Sequence, residues 1–115
     1  PYTALFRSPA APLEARLHET LLDAEERRRL PAAPTAAGLH ARRAFVLKEA
    51  VYKALAPHVG VLLDFHDVRV VAAADGSFEA RLLREGLSWP TARALSGRWA
   101  EVGGHLFGAV VVPAT

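Results

Sequence analysis

The residues of this chain with the most chemical potential lie close together, in Phe45-Val46-Leu47-Lys48-Glu49-Ala50-Val51-Tyr52-Lys53-Ala54-Leu55. Of 14 basic residues, Lys48 and Lys53 are the only lysines, and the other 12 are arginine. In so arginine-biased a chain, two lysines at this spacing point to a need for compact, mobile point charges, as in contact with phosphate, rather than for a planar fork. The plainer alternative is an exposed Glu49–Lys53 pair one helical turn apart, worth a few tenths of a kcal/mol.

Positioning these groups requires a helix. Wound at about 100° per residue, the stretch divides into two faces. Phe45, Lys48, Glu49, Tyr52 and Lys53 fall within an arc of about 140°, giving a mixed face of two ammoniums, one carboxylate and two rings. Leu47, Ala50, Val51 and Ala54 gather opposite as a core face, whose small alanines let a neighbour approach closely.

Length and composition limit what can support that helix. At 115 residues, 51% of them hydrophobic and 23% charged, the chain is expected to form one globular domain over residues 1–115, alone or as part of a larger chain. A net charge of +2 is small, and Arg27-Arg28-Arg29 and Arg42-Arg43 are short clusters, read as solvated helix faces rather than a nucleic-acid footprint. Without cysteine there is neither a disulfide framework nor a thiolate metal site. No apolar run approaches the length of a membrane span and no signal peptide is visible, so no membrane association and a cytoplasmic location are expected. The start at Pro1 rather than methionine suggests a processed or excised chain.

In order, Pro1 to Ser8 reads as a strand. Leu13, Leu17 and Leu21 mark a helix of about two turns, with Pro12 suited to its first position. Asp23 followed by Glu26 is a capping-box pattern that starts a second short helix at Ala24, which Pro31 stops. The third and longest helix is predicted from Ala36 to about Ala56, weakened at Gly38 and closed by Pro57. His58 to Asp64 is a connection with Val61-Leu62-Leu63 tucked under the core. Phe65 to Ala73 and Ser77 to Leu83 form a hairpin about Asp75-Gly76. Gly86 to Pro90 is a loop carrying Trp89. Thr91 to Val102 and His105 to Val112 form a second hairpin about Gly103-Gly104, its last strand buried on both faces. One strand, three helices and four mostly antiparallel strands make an α+β domain.

With these elements in place, Phe45-x-x-Lys48-Glu49-Ala50-x-Tyr52-Lys53-Ala54 resembles the W/F-x-x-K-E-(S/A)-x-x-K signature of 4′-phosphopantetheinyl transferases, most closely the C-terminal half of the surfactin-type and enterobactin-type enzymes. Leu21 to Arg27, Leu62 to Val70 and His105 to Val112 are similar to segments those enzymes place in the same order. The resemblance implies a 4′-phosphopantetheinyl transferase-like half-domain. It implies Mg²⁺-dependent transfer of 4′-phosphopantetheine from coenzyme A to a serine of an acyl or peptidyl carrier protein, in polyketide or nonribosomal peptide biosynthesis. Carried over, Glu49 would be a Mg²⁺ ligand and the catalytic base candidate, and Lys48 and Lys53 would contact coenzyme A phosphates.

The family's other metal ligands lie on the first strand, in a G-(I/V)-D-x-E pattern. Here that strand, Tyr2-Thr3-Ala4-Leu5-Phe6, has no carboxylate, so with Ala4 and Phe6 in those places Glu49 alone would hold the ion. Larger family members also have an earlier half-domain, to which nothing here corresponds, while smaller ones assemble as trimers. Two expectations follow. Either the chain is completed by a second half-domain or by homo-oligomerisation, or it is a noncatalytic transferase-like domain in a synthase that binds a carrier protein or stabilises a partner domain. A simple interaction module docking through helix 36–56 is the nonenzyme reading. His58, His66, Asp64 and Asp67 are read as loop caps rather than metal ligands, and Tyr52, Trp89 and Trp99 as packing or interface.

Overall fold

The computed structural model describes residues 2–59, 62–85 and 94–112, with the backbone only of Tyr2 and His58. The elements in order are β1 (Tyr2–Pro9), α1 (His18–Leu21, preceded by a 3₁₀ turn at Ala15–Leu17), α2 (Ala24–Arg28) and α3 (Pro34–Val59). After a 3₁₀ turn at Phe65–Asp67 come β2 (Val68–Ala72), β3 (Ser77–Leu82), β4 (Ala94–Val102) and β5 (His105–Val112). The strands form one fully antiparallel sheet in the order β1-β5-β4-β3-β2, so the first and last strands are neighbours. The α+β expectation holds.

α3 lies across one face of that sheet, touching β1, β5 and β2. Leu47, Ala50, Val51 and Ala54, the expected core face, are all buried and pack with Ala4, Val70, Phe78, Ala80 and Val110. The close approach comes from small residues on both sides. A Cβ on Gly108 of β5 would lie 3.0 Å from Leu47 and 3.6 Å from the Ala50 methyl. At the other end of α3, a Cβ on Gly38 would meet Pro12 at 2.7 Å, and the Gly38 carbonyl accepts from Leu13 N–H. The glycine expected to weaken the helix is the seat for the preceding segment.

α2 starts as its capping box predicts, with the Glu26 N–H on Asp23 Oδ1 and the Asp23 N–H on Glu26 Oε1. It ends at Arg28, before Pro31 is reached. Both hairpins form where glycine permits positive φ: Gly76 at 89°, and the consecutive pair Gly103 at 58° and Gly104 at 78°.

Four expectations are corrected. Pro57 lies inside α3, which runs on to Val59; so near the end, the proline sacrifices one hydrogen bond rather than a segment. The segment before β2 is a 3₁₀ turn and not a strand, because Asp64 and Asp67 cap it reciprocally. Leu62 is not tucked under the core but 94% exposed. β5 is buried on one face only: Leu106, Gly108, Val110 and Val112 point in, while Val111 is 50% exposed. The expectations for Val61, Gly86–Pro90 with Trp89, and Thr91 to Arg93 lie outside the described residues.

On the sheet face away from α3, register brings Leu5 beside Ala109, Thr3 beside Val111, and Phe107 beside Ala100. Leu5, Val111 and Val102 are exposed there, forming an apolar strip over β1, β5 and β4.

Candidate active site

The mixed face of α3 does not present its groups uniformly. Lys48 is fully buried, with 0% exposure. Its Nζ donates to Glu26 Oε1 at 2.7 Å, to the Leu21 carbonyl at 3.0 Å and to the Phe65 carbonyl at 2.6 Å. An ammonium has three N–H groups, and these three acceptors account for all of them. Burial holds the Lys48 pKa below the usual lysine value, an effect that the Glu26 carboxylate partly reverses.

Glu26 was legible only as a capping residue. Besides Lys48 and the Asp23 N–H, its carboxylate accepts the Val70 N–H through Oε2 at 2.9 Å. Asp23 in turn accepts Arg69 Nε at 2.8 Å. One buried ion pair thus ties α2, α3 and the outer edge of β2 together. The capping pattern locates Glu26 at α2, but nothing in its spacing announces the other two partners.

Glu49 and Lys53 lie one turn apart on the outer side of α3. Glu49 is half-buried and Lys53 exposed. Burial raises the Glu49 pKa above the ordinary carboxylate value, and the Lys53 charge pulls it back in part. Glu49 stands at the rim of a pocket of about 260 Å³ with otherwise largely apolar walls, among them Tyr52, Ala56, Leu63 and Phe65. The site therefore joins a carboxylate held partly out of water, an adjacent ammonium and a cleft for an apolar arm. Such a set can bind an anionic group and take up a proton from a hydroxyl.

Aromatic rings brace this wall. Phe6 meets Phe45 edge-on at 6.0 Å, Phe45 lies 5.9 Å from Phe65, and Phe65 lies 5.6 Å from Tyr52. The Tyr52 hydroxyl donates to the Asp64 carbonyl at 2.5 Å, pinning the helix to the connection before β2. Packing is therefore the role of Tyr52. Asp64 and Asp67 are caps, and His66 reaches the Glu19 carbonyl at 2.8 Å through Nε2. No group of three potential metal-ligating side chains gathers among the described residues.

Ala4 and Phe6 of β1 face α3, Ala4 in the core and Phe6 against Phe45. Where a hard divalent cation would need further oxygen ligands beside Glu49, this strand offers a methyl and a ring. The described residues do not by themselves compose a Mg²⁺ site. No helix is long and apolar enough to cross a membrane.

Compared with known families, the chain matches the one described as the 4′-phosphopantetheinyl transferase superfamily over residues 2–107. No curated protein matches it.

Proposed function

The chain belongs to the 4′-phosphopantetheinyl transferase superfamily, a family of transferases that use coenzyme A, and on that premise we propose that it forms one wall of a site that transfers 4′-phosphopantetheine to a carrier-protein serine. The observation that carries the reading is a half-buried Glu49 at an apolar pocket, with the Lys53 charge acting on it from one helical turn away. In the reaction, the serine oxygen forms a bond to the phosphorus bearing the pantetheine arm. The bond from that phosphorus to the bridging oxygen breaks, and 3′,5′-ADP leaves. The serine proton passes to Glu49, directly or through a water, and a carboxylate with a raised pKa suits that task. Lys53 holds a phosphate of coenzyme A as a mobile point charge.

Lys48 takes a supporting role in this proposal. With three protein acceptors around its Nζ, it holds α3 against α2 and so sets the position of Glu49. Among the described residues Glu49 would be the carboxylate offered to Mg²⁺, and the remaining ligands would have to come from the substrate, water and a second domain or subunit. The apolar strip of Leu5, Val111 and Val102 is where a second half-domain or another copy would pack.

The test has two arms. Calorimetric titration of coenzyme A with Mg²⁺ is expected to show binding that Lys53→Ala weakens at least about tenfold. Mass spectrometry of an apo carrier protein is expected to show the arm added by the complemented protein and not by its Glu49→Ala variant. Coenzyme A binding indifferent to both residues would sink the reading. The second reading, a noncatalytic domain that binds a carrier protein, rests on Ala4 and Phe6 facing α3. It predicts carrier-protein binding without mass gain, unaffected by Glu49→Ala.

A further inference from the structure

On the other side of α3, roughly 160° around the helix from Glu49, lies a second cavity of about 210 Å³ between α2, α3 and β2. Its interior is apolar, with Leu30, Leu47 and Ala72 in the walls, and its rim carries Arg29, His40 and Arg43. Arg43 is the unusual member. Its guanidinium lies 4.6 Å from the centre of the Trp99 ring, and its Nη2 is 3.5 Å from His40 Nδ1. Among the described residues no carboxylate pairs with it. A half-buried guanidinium held only by a ring face and an imidazole has donors to spare for an anion. Burial depresses the pKa of Arg43, and burial together with Arg43 depresses that of His40.

The local charge favours an anion as well. Glu26 touches the cavity, but its carboxylate is occupied by Lys48 and two backbone N–H groups. Arg29 keeps a 3.4 Å ion pair with Glu25 on the exposed side. The balance at the rim is cationic over an apolar interior.

We propose that this cavity binds a small carboxylate with a short hydrocarbon tail, the carboxylate held by the Arg43 fork and the tail inserted between α2 and α3. The guanidinium fork matches a planar carboxylate in two-point geometry. A single negative charge also costs less to desolvate here than a phosphate dianion. The volume lies below the ~300 Å³ at which small-molecule sites usually begin, which limits the tail to a few carbons. The site is separate from the Glu49 pocket, so its fate does not depend on the transferase reading.

Hexanoate is the probe, followed by NMR through the backbone amides of His40, Val71 and Ala72. Saturable shifts are expected. The isosteric neutral hexanamide, and acetate with the same head and almost no tail, should each bind at least about tenfold more weakly. Arg43→Gln should reduce hexanoate affinity about tenfold or more. Ala72→Leu, which fills the cavity and keeps both guanidinium groups, should abolish binding. Should Arg43→Gln disturb the fold, Ala72→Leu decides the matter. The absence of saturable shifts, equal affinity for hexanamide, or full binding by Ala72→Leu would overturn the proposal.

Discussion

Lys48→Met would leave the Glu26 carboxylate buried without its cation, and breaking a buried pair from one side costs ~3–5 kcal/mol. Urea unfolding should register a loss of that size, and Glu26→Leu a comparable one. The double replacement Glu26→Leu/Lys48→Met should cost less than the sum of the two single losses, because neither charge is then left buried alone. The Asp23 and Val70 N–H groups and the Leu21 and Phe65 carbonyls still lose their partners. Lys53→Met, on an exposed side chain, should change stability by no more than about 0.5 kcal/mol. Glu49 gives a second test. Its carboxyl keeps its proton to a higher pH folded than unfolded, so it favours folding at low pH and that contribution fades as pH rises through the folded pKa. An NMR titration should place the Glu49 midpoint above that of a free glutamate side chain, and Lys53→Gln should move it higher still. At this scale the sequence singled out Lys48, Glu49 and Lys53 but was silent on Glu26 as the partner of Lys48 and on which of the three is buried. The same lysine serves at a phosphate or in a core, and only burial separates the uses.

The elements that carry these residues were legible wherever a local signal had one meaning. Asp23 with Glu26, Asp75-Gly76 and Gly103-Gly104 each dictate a backbone geometry, and each forms as read. Segments with two possible meanings went otherwise. The run Phe107-Gly108-Ala109-Val110-Val111-Val112 suits a strand covered on both sides or on one, and the placement of α3 decides between them. Phe65 continues the apolar pattern of β2, but the paired aspartates around it wind the chain into a turn. Gly97 of β4 shows how tightly the sheet is filled. A Cβ there would come within 2.4 Å of both the Ala109 carbonyl oxygen and the Phe78 ring. Gly97→Ala should cost ~1–3 kcal/mol by thermal or denaturant unfolding, through overpacking rather than backbone strain.

For the molecule as a whole, the uneven treatment of the two sheet faces is the main feature. α3 covers one, and the other shows Leu5, Val111 and Val102 to solvent. If that strip is the seat of a second half-domain or copy, Val111→Lys should leave intrinsic stability within about 0.5 kcal/mol and abolish association in sedimentation velocity. Unchanged association would place the partner elsewhere. This face was only partly legible in the sequence, since Ala4 and Phe6 alternate with Thr3 and Arg7 along β1, while the alternation in β5 is blurred by small residues.

The pairing of β1 with β5 also has a consequence in time. Tyr2 stands in register with Val112, and β5 lies between β1 and β4. A ribosome therefore releases the first strand, all three helices and three further strands before the one that joins them into a sheet. Until then β1 has no neighbour, and the alanine face of α3 lacks the glycine-bearing strand it rests on. Pairing across almost the whole length of the chain is slow to find and leaves apolar surface open meanwhile. The fold closes only once β5 has emerged, and a released chain truncated after Gly104 would display two unmatched edges where the finished sheet runs unbroken.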